Sequence, residues 1–336
     1  MHRHIRSVGR AVVVAALSLC TFACGSDKGN GTPVEQPYNR IAFTFFSAGP
    51  LESDNLVYQV WAQAVSGSLT AQTGSTVSLG RFRLRVAQPG GDTLMYTEGG
   101  TLIAGNTLSG LPVDLGDYDS LFVTIEPSPD TDTLPSGSVY LRGDIPIKHG
   151  NTIGSLNFPV SQLLSVRDSL SRFIFATPTD EDPDNELSGV WFVGVERSQG
   201  LHDLVALPSG WIYEGWAWHG IGAQRMAYST GPFADPAASD MDSSHSGPLP
   251  GLGFPGEDFL ENPPPGAPAF PLSFASGDGF AITIEPVPDP DPSRPFPFAI
   301  FTSYDDLVPG SSDLNWLDGH PEAVPVAQSL FIQQEE

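Results

Sequence analysis

The same pattern of strand-forming residues is written twice along this chain, and that repetition constrains the fold more than any other feature. Tyr58-x-x-Trp61-Ala62 returns as Tyr213-x-x-Trp216-Ala217. Gly80-x-Phe82 returns as Gly231-x-Phe233, and Val123-Thr124-Ile125-Glu126-Pro127 as Ile282-Thr283-Ile284-Glu285-Pro286. Ser171-x-Phe173-Ile174 returns as Ser329-x-Phe331-Ile332. The matches keep their order and nearly their spacing, with the drift that loop insertions produce. Self-similarity on this scale marks a repeated structural unit. Repeat one is placed at 40–177 and repeat two at 188–336, with the acidic, proline-containing stretch 178–187 as the linker between them.

Each unit reads as strands. Phe82, Leu84 and Val86 alternate with Arg81, Arg83 and Arg85, so the apolar set faces inward. Tyr58, Val60 and Ala62 share a face, as do Leu121, Val123 and Ile125 and their counterparts Phe280, Ile282 and Ile284. Pro127 and Pro286 end those strands, because proline cannot donate to the ladder. The 36 glycines and 32 prolines favour many turns and short strands over long helices. The expected fold is all-β: two tandem β-sandwich domains related by internal duplication.

At the N-terminus, Arg3, Arg6 and Arg10 precede the apolar run Ala11–Leu19. This is the pattern of a secretory signal, predicted over 1–23, and the run is too short to span a bilayer. Thr21-Phe22-Ala23-Cys24-Gly25 resembles a bacterial lipobox. That resemblance implies that Cys24 becomes the acylated first residue. Ala23 is the small residue required before it, whereas Leu19 before Cys20 is too large. Residues 24–39 read as a flexible tether. The expected location is outside the cytoplasm, anchored to a membrane on its periplasmic or outer-surface side, with plain secretion as the alternative. Cys20 and Cys24 are the two cysteines of the chain, so its body has no disulfide, thiolate nucleophile or cysteine zinc site.

The formal net charge of −24 repels nucleic acid and excludes it as a partner. Gly251-x-Gly253-x-x-Gly256 matches a dinucleotide fingerprint in letters, but prolines flank it where a strand and a helix are needed. Asp180, Asp182 and Asp184 offer oxygen ligands for calcium. They lack the spacing of an EF-hand loop, and a solvated acidic linker is the plainer account. The chain carries no G-x-S-x-G, H-E-x-x-H or P-loop. No catalytic residue, resident metal or cofactor is therefore assigned.

Two groups are candidates for binding. Trp218 stands where repeat one has Gln63, so the fold does not demand it. With Glu214 and His219 it forms a candidate platform for a sugar or a protein partner. Arg81, Arg83 and Arg85 line one strand face; they either pair with acids across strands or meet an anionic ligand or lipid headgroup.

Phe122–Pro127, the Pro/Asp turn after it and Ser138–Gly143 resemble the extracytoplasmic domain of anti-sigma-K factors. The likeness covers two strands and a turn per copy and implies a small β-sandwich. The sigma-binding domain and membrane-spanning helix of that family have no counterpart here, so sigma binding is not implied. Gly189–Phe192, Leu207-Pro208, Gly210-Trp211 and Pro255–Phe259 are also similar to segments of bacterial envelope proteins. The expected function is that of a non-enzymatic, lipid-anchored envelope protein, structural or partner-binding. A carbohydrate- or peptide-binding lipoprotein using the Trp218 region is one alternative, and a sensory envelope protein is another.

Overall fold

Short alternating runs broken by Gly, Pro and Asp turns leave room for strands and little else, and strands are what form. The computed structural model describes residues 36–336, apart from 52–54, 65–74, 89–90, 147–149, 161–162, 164–165, 167–170, 276, 290, 304–314, 321–323 and 335–336. Cys24 and the signal region lie outside the described residues.

The first half contributes β1 (Arg40–Phe46), β2 (Leu56–Gln63), β3 (Thr76–Val86), β4 (Thr93–Tyr96), β5 (Thr107–Ser109), β6 (Ser120–Pro127), β7 (Val139–Asp144), β8 (Thr152–Asn157) and β9 (Ser171–Phe175). The second contributes β10 (Gly189–Trp191), β11 (Trp211–His219), β12 (Met226–Phe233), β13 (Gly256–Asp258), β14 (Gly279–Pro286), β15 (Ala299–Ser303), β16 (Asn315–Gly319) and β17 (Val326–Ile332). They form two antiparallel sheets, of nine and eight strands. The orders are β4-β3-β2-β6-β7-β8-β17-β1-β5 and β12-β11-β14-β15-β16-β9-β10-β13.

Leaving out β4, the two orders match strand for strand. Even the irregularities coincide. The register shifts between Val60 and Trp61 on β2 and between Glu214 and Trp216 on β11, both equivalent places. It shifts again at Val123/Thr124 and at Ile282/Thr283. One feature crosses the sequence boundary at 178–187. β9, the last strand of the first half, is hydrogen-bonded between β16 and β10 of the second sheet. Reciprocally, β17 from the end of the chain lies between β8 and β1 of the first. The halves have exchanged their final strands.

Each sheet curls over its own apolar face. Phe43 and Phe45 of β1 meet Phe82 of β3 at ring-centroid distances of 6.5 and 5.9 Å, although five strands separate β1 from β3 in the sheet. In the second sheet Phe173 of β9 meets Phe280 of β14 at 4.7 Å. Such contacts arise only when the two ends of a sheet face each other, which is how one sheet makes a sandwich core. The two cores are continuous. Tyr140 and Phe158 pack on Trp211 at 6.2 and 5.3 Å, and Phe158 meets Phe298 at 5.0 Å. At this junction Gly210 has φ +90°, and a Cβ there would lie 2.1 Å from the Gly137 carbonyl, so only glycine fits. Residues 36–336 accordingly form one unit.

Val86, expected inward with Phe82 and Leu84, is 42% exposed. It pairs with Thr93 on the edge strand β4, beyond the end of the β2 ladder at Phe82, where nothing covers it. No helix among the described residues is long and apolar enough to cross a membrane.

Phe331, fully buried on β17, is expected to cost about 3–5 kcal/mol when truncated to alanine. In Phe331→Ala, hydrogen exchange should accelerate first in β1 and β8, far away in sequence. Acceleration confined to residues after 188 would contradict the strand exchange.

Candidate functional site

Three residues recur in both halves as one hydrogen-bonded relay on the outer side of the sheets. The Trp61 indole N–H donates to Thr124 Oγ1 at 2.8 Å, and Trp216 donates to Thr283 Oγ1 at 2.9 Å. Each threonine hydroxyl passes its own proton to a carboxylate two residues on, Glu126 or Glu285. Those carboxylates also accept the backbone N–H of Ser136 at 2.8 Å and of Phe296 at 2.9 Å, on the segments returning to β7 and β15. Both tryptophans are buried without joining the main apolar core. The spacing follows from the pleat: Thr and Glu at i and i+2 share a strand face, opposite Ile125 or Ile284.

The halves differ beside the relay. In the first, the Arg81 guanidinium bonds Asp130 at 3.0 Å and Glu98 at 2.7 Å, and donates to the Pro127 carbonyl at 2.6 Å. Gln59 donates to Ser78 at 2.8 Å. In the second, Pro232 replaces Arg81 and Glu214 replaces Gln59. The serine now donates instead: Ser229 Oγ bonds Glu214. Oxygens of Glu214, Glu285 and Asp289 therefore lie within 4.8 Å of one another. Burial pushes Glu214 up to about 7 and Glu285 up to about 8; repulsion from Asp289 and Asp242 adds to the first, and repulsion from Glu214 and Asp289 to the second. Burial raises Asp289 as well. A group of this kind retains protons near neutral pH; its all-oxygen donor set otherwise suits a hard cation. Further acids are raised by burial near β13: Glu257 to about 8, beside Ser246, and Asp240 to about 6.

Along β12 and the Trp216–Trp218 end of β11 runs a groove of about 910 Å³. Trp218 and Trp216 form its floor, and Ser229, the partner of Glu214, is also in its lining. One wall comes from the excursion between β12 and β14, through Asp242 and His245 and then Pro264 and Pro265. The other is the β14–β15 turn, with Pro292 and Pro295. Proline fixes its own backbone, so much of this wall is set before any ligand arrives.

Trp218 and Glu214, both expected at a binding site, are thus brought together on one strand face. His219 is not with them: it points to the other face, where Nδ1 meets Asp278 Oδ2 at 3.1 Å and the ring packs edge-on to Phe274. The arginine stripe is divided among separate tasks. Arg81 serves the acids named above, Arg83 donates to the Leu56 carbonyl at 2.9 Å, and Arg85 stacks over Tyr96 at 4.8 Å. Asp180 and Asp182 accept from backbone N–H groups two residues ahead, Asp180 also takes the Asn185 amide, and Asp184 is exposed. Glu126 and Glu285 were not singled out from sequence, although the doubled Thr-x-Glu-Pro was their signal.

A carboxyl whose pKa is raised by folding binds its proton more tightly in the folded state. The stability it confers is complete below its unfolded value near 4.5 and is lost as pH climbs through about 7 to 8. Thermal stability should therefore fall from about pH 5 to about pH 8. Glu285→Gln should flatten that slope and raise the melting temperature at the alkaline end; an unchanged slope would show that these carboxyls ionise freely. No family model, curated protein or solved structure matches this chain, so what it binds must be read from these side chains.

Proposed function

We propose that this chain is a non-enzymatic, lipid-anchored envelope protein that holds an extended polar partner, peptide or saccharide, in the Trp218 groove. The groove itself carries the reading. Trp218 is half-buried and lines the groove. An aromatic side chain has only two torsions to immobilise and gains large contact area, which makes it an economical anchor. Because the first half has Gln63 at this place, the tryptophan serves no need common to both sheets. The raised pKa of Glu214 is accounted for by burial and by neighbouring acids, and needs no reaction to explain it. The signal-like N-terminal sequence and the lipobox-like Cys24 support attachment to a membrane surface, although the expected tether ends before Gln36, since Tyr38 is buried in the core.

Trp218→Ala is expected to leave folding stability within about 0.5 kcal/mol, and to cost about 2 kcal/mol or more in binding to whichever peptide or glycan scores on an array of both. Equal array binding by wild type and variant would remove the groove from the reading. Independently, intact-mass analysis of protein from a bacterial envelope should show a chain starting at Cys24 with a diacylglyceryl mass; an unmodified start elsewhere would remove the anchor.

A further inference from the structure

β12 is the last strand in the order of the second sheet. In the first sheet its counterpart β3 is followed by one more strand, β4, which pairs with residues 83–86, beyond the positions equivalent to Met226–Ser229. Nothing among the described residues pairs with the outer side of Met226–Ser229. The groove runs along this edge. Its lining takes in every residue from Arg225 to Ser229. Alternate residues of a strand point to opposite faces, so a surface touching all of them in succession must approach the strand edge-on, where the main chain is presented.

The direction of the main-chain groups follows from the ladder. Ile284 donates its N–H to Phe298, toward β15, at 3.0 Å. Tyr213, opposite Ile284 on the unbroken β11–β14 register, therefore turns its own groups toward β12. By alternation Ala217 and His219 do likewise, and bond Tyr228 and Met226. Ala227 and Ser229, opposite Trp218 and Trp216, then turn N–H and C=O outward into the groove. The Met241 N–H, which reaches the Pro232 carbonyl from outside the sheet at 2.9 Å, fits the same phase.

One further feature suits an incoming strand. The proline-bearing walls at Pro264, Pro265, Pro292 and Pro295 have no N–H at those positions with which to fill the edge themselves.

Resting on the reading of the Trp218 groove as a binding site, we propose that its occupant is an extended peptide segment of another protein. It adds as a strand to the Met226–Ser229 edge of β12. The main-chain groups of Ala227 and Ser229 supply affinity independent of sequence, and Trp218 selects a side chain on the outer face. An extended peptide carries its own N–H and C=O groups at the strand repeat and so matches Ala227 and Ser229 in register, which the hydroxyls of a saccharide, able to bond them singly, do not.

Ala227→Pro isolates this claim. It deletes an outward N–H while leaving every bond to β11 intact, and proline is tolerated on an edge strand in that orientation. The full chain is panned with a phage-displayed library of random linear dodecapeptides. Enriched peptides should bind the Ala227→Pro chain about tenfold more weakly, with its melting temperature unchanged. In the wild-type chain, adding such a peptide should slow hydrogen exchange at the Ala227 and Ser229 amides, a readout independent of the variant. Peptides that bind both chains equally and leave those amides unprotected overturn strand addition. Glycan binding that is lost in Trp218→Ala and unaffected by Ala227→Pro overturns the peptide and keeps the groove. Light scattering that shows dimers abolished by Ala227→Pro gives the edge to a second copy of this chain and overturns it too. Failure of both peptides and glycans to bind sinks the groove reading itself.

Discussion

A buried carboxyl with no cation beside it is costly to ionise and costly to leave without hydrogen-bond partners, and both sheets are arranged around one. Glu126 and Glu285 sit on central strands at 2% and 1% exposure. Their tolerance depends on the tryptophan–threonine chain that delivers a hydroxyl proton, and on a backbone N–H from the returning segment. An unpaired buried acceptor would cost about 1–3 kcal/mol, so each partner is fixed in place by the need to satisfy the acid. The relay thereby joins three neighbouring strands across their outer face and sets where the proline turn must come back. Apolar packing on the inner face could tolerate small shifts of register; this polar chain does not.

The same construction shows how two halves of one topology differ in chemistry. Where Arg81 neutralises Asp130, the outer surface of the first sheet is closed by ion pairs and by β4. Where Pro232 and Glu214 stand instead, the acids crowd together and share protons, and the surface beside them stays open as the groove. The differences that matter are Gln59 against Glu214, Gln63 against Trp218 and Arg81 against Pro232, with one long excursion before β14, while the sheet order is unchanged apart from β4.

Much of this was legible in the residues. The alternation in Arg81–Leu84 and in Leu121–Ile125 located strands, and the collinear Tyr-x-x-Trp-Ala and Thr-x-Glu-Pro segments located equivalent ones. Trp218 stood out because its counterpart is Gln63. Other features were hidden for physical reasons. Periodicity reports which face is apolar and cannot say which sheet a strand joins, so the exchange of β9 and β17 left no trace. The outer faces of β2 and β14 are buried as well, by loops whose placement depends on distant contacts. His219 adjoins Trp218 in sequence, yet a one-residue step on a strand reverses direction, and it bonds Asp278 on the far side.

The exchanged strands carry a consequence for how the molecule comes into being. Arg40 near the start of the described chain is paired with Ile332 near its end. Synthesis delivers the chain in order, so the first sheet has an open seam between β8 and β1 until β17 has emerged. Contacts so distant in sequence form slowly. Over that interval two strand edges lack their partner, and β17 closes both at once.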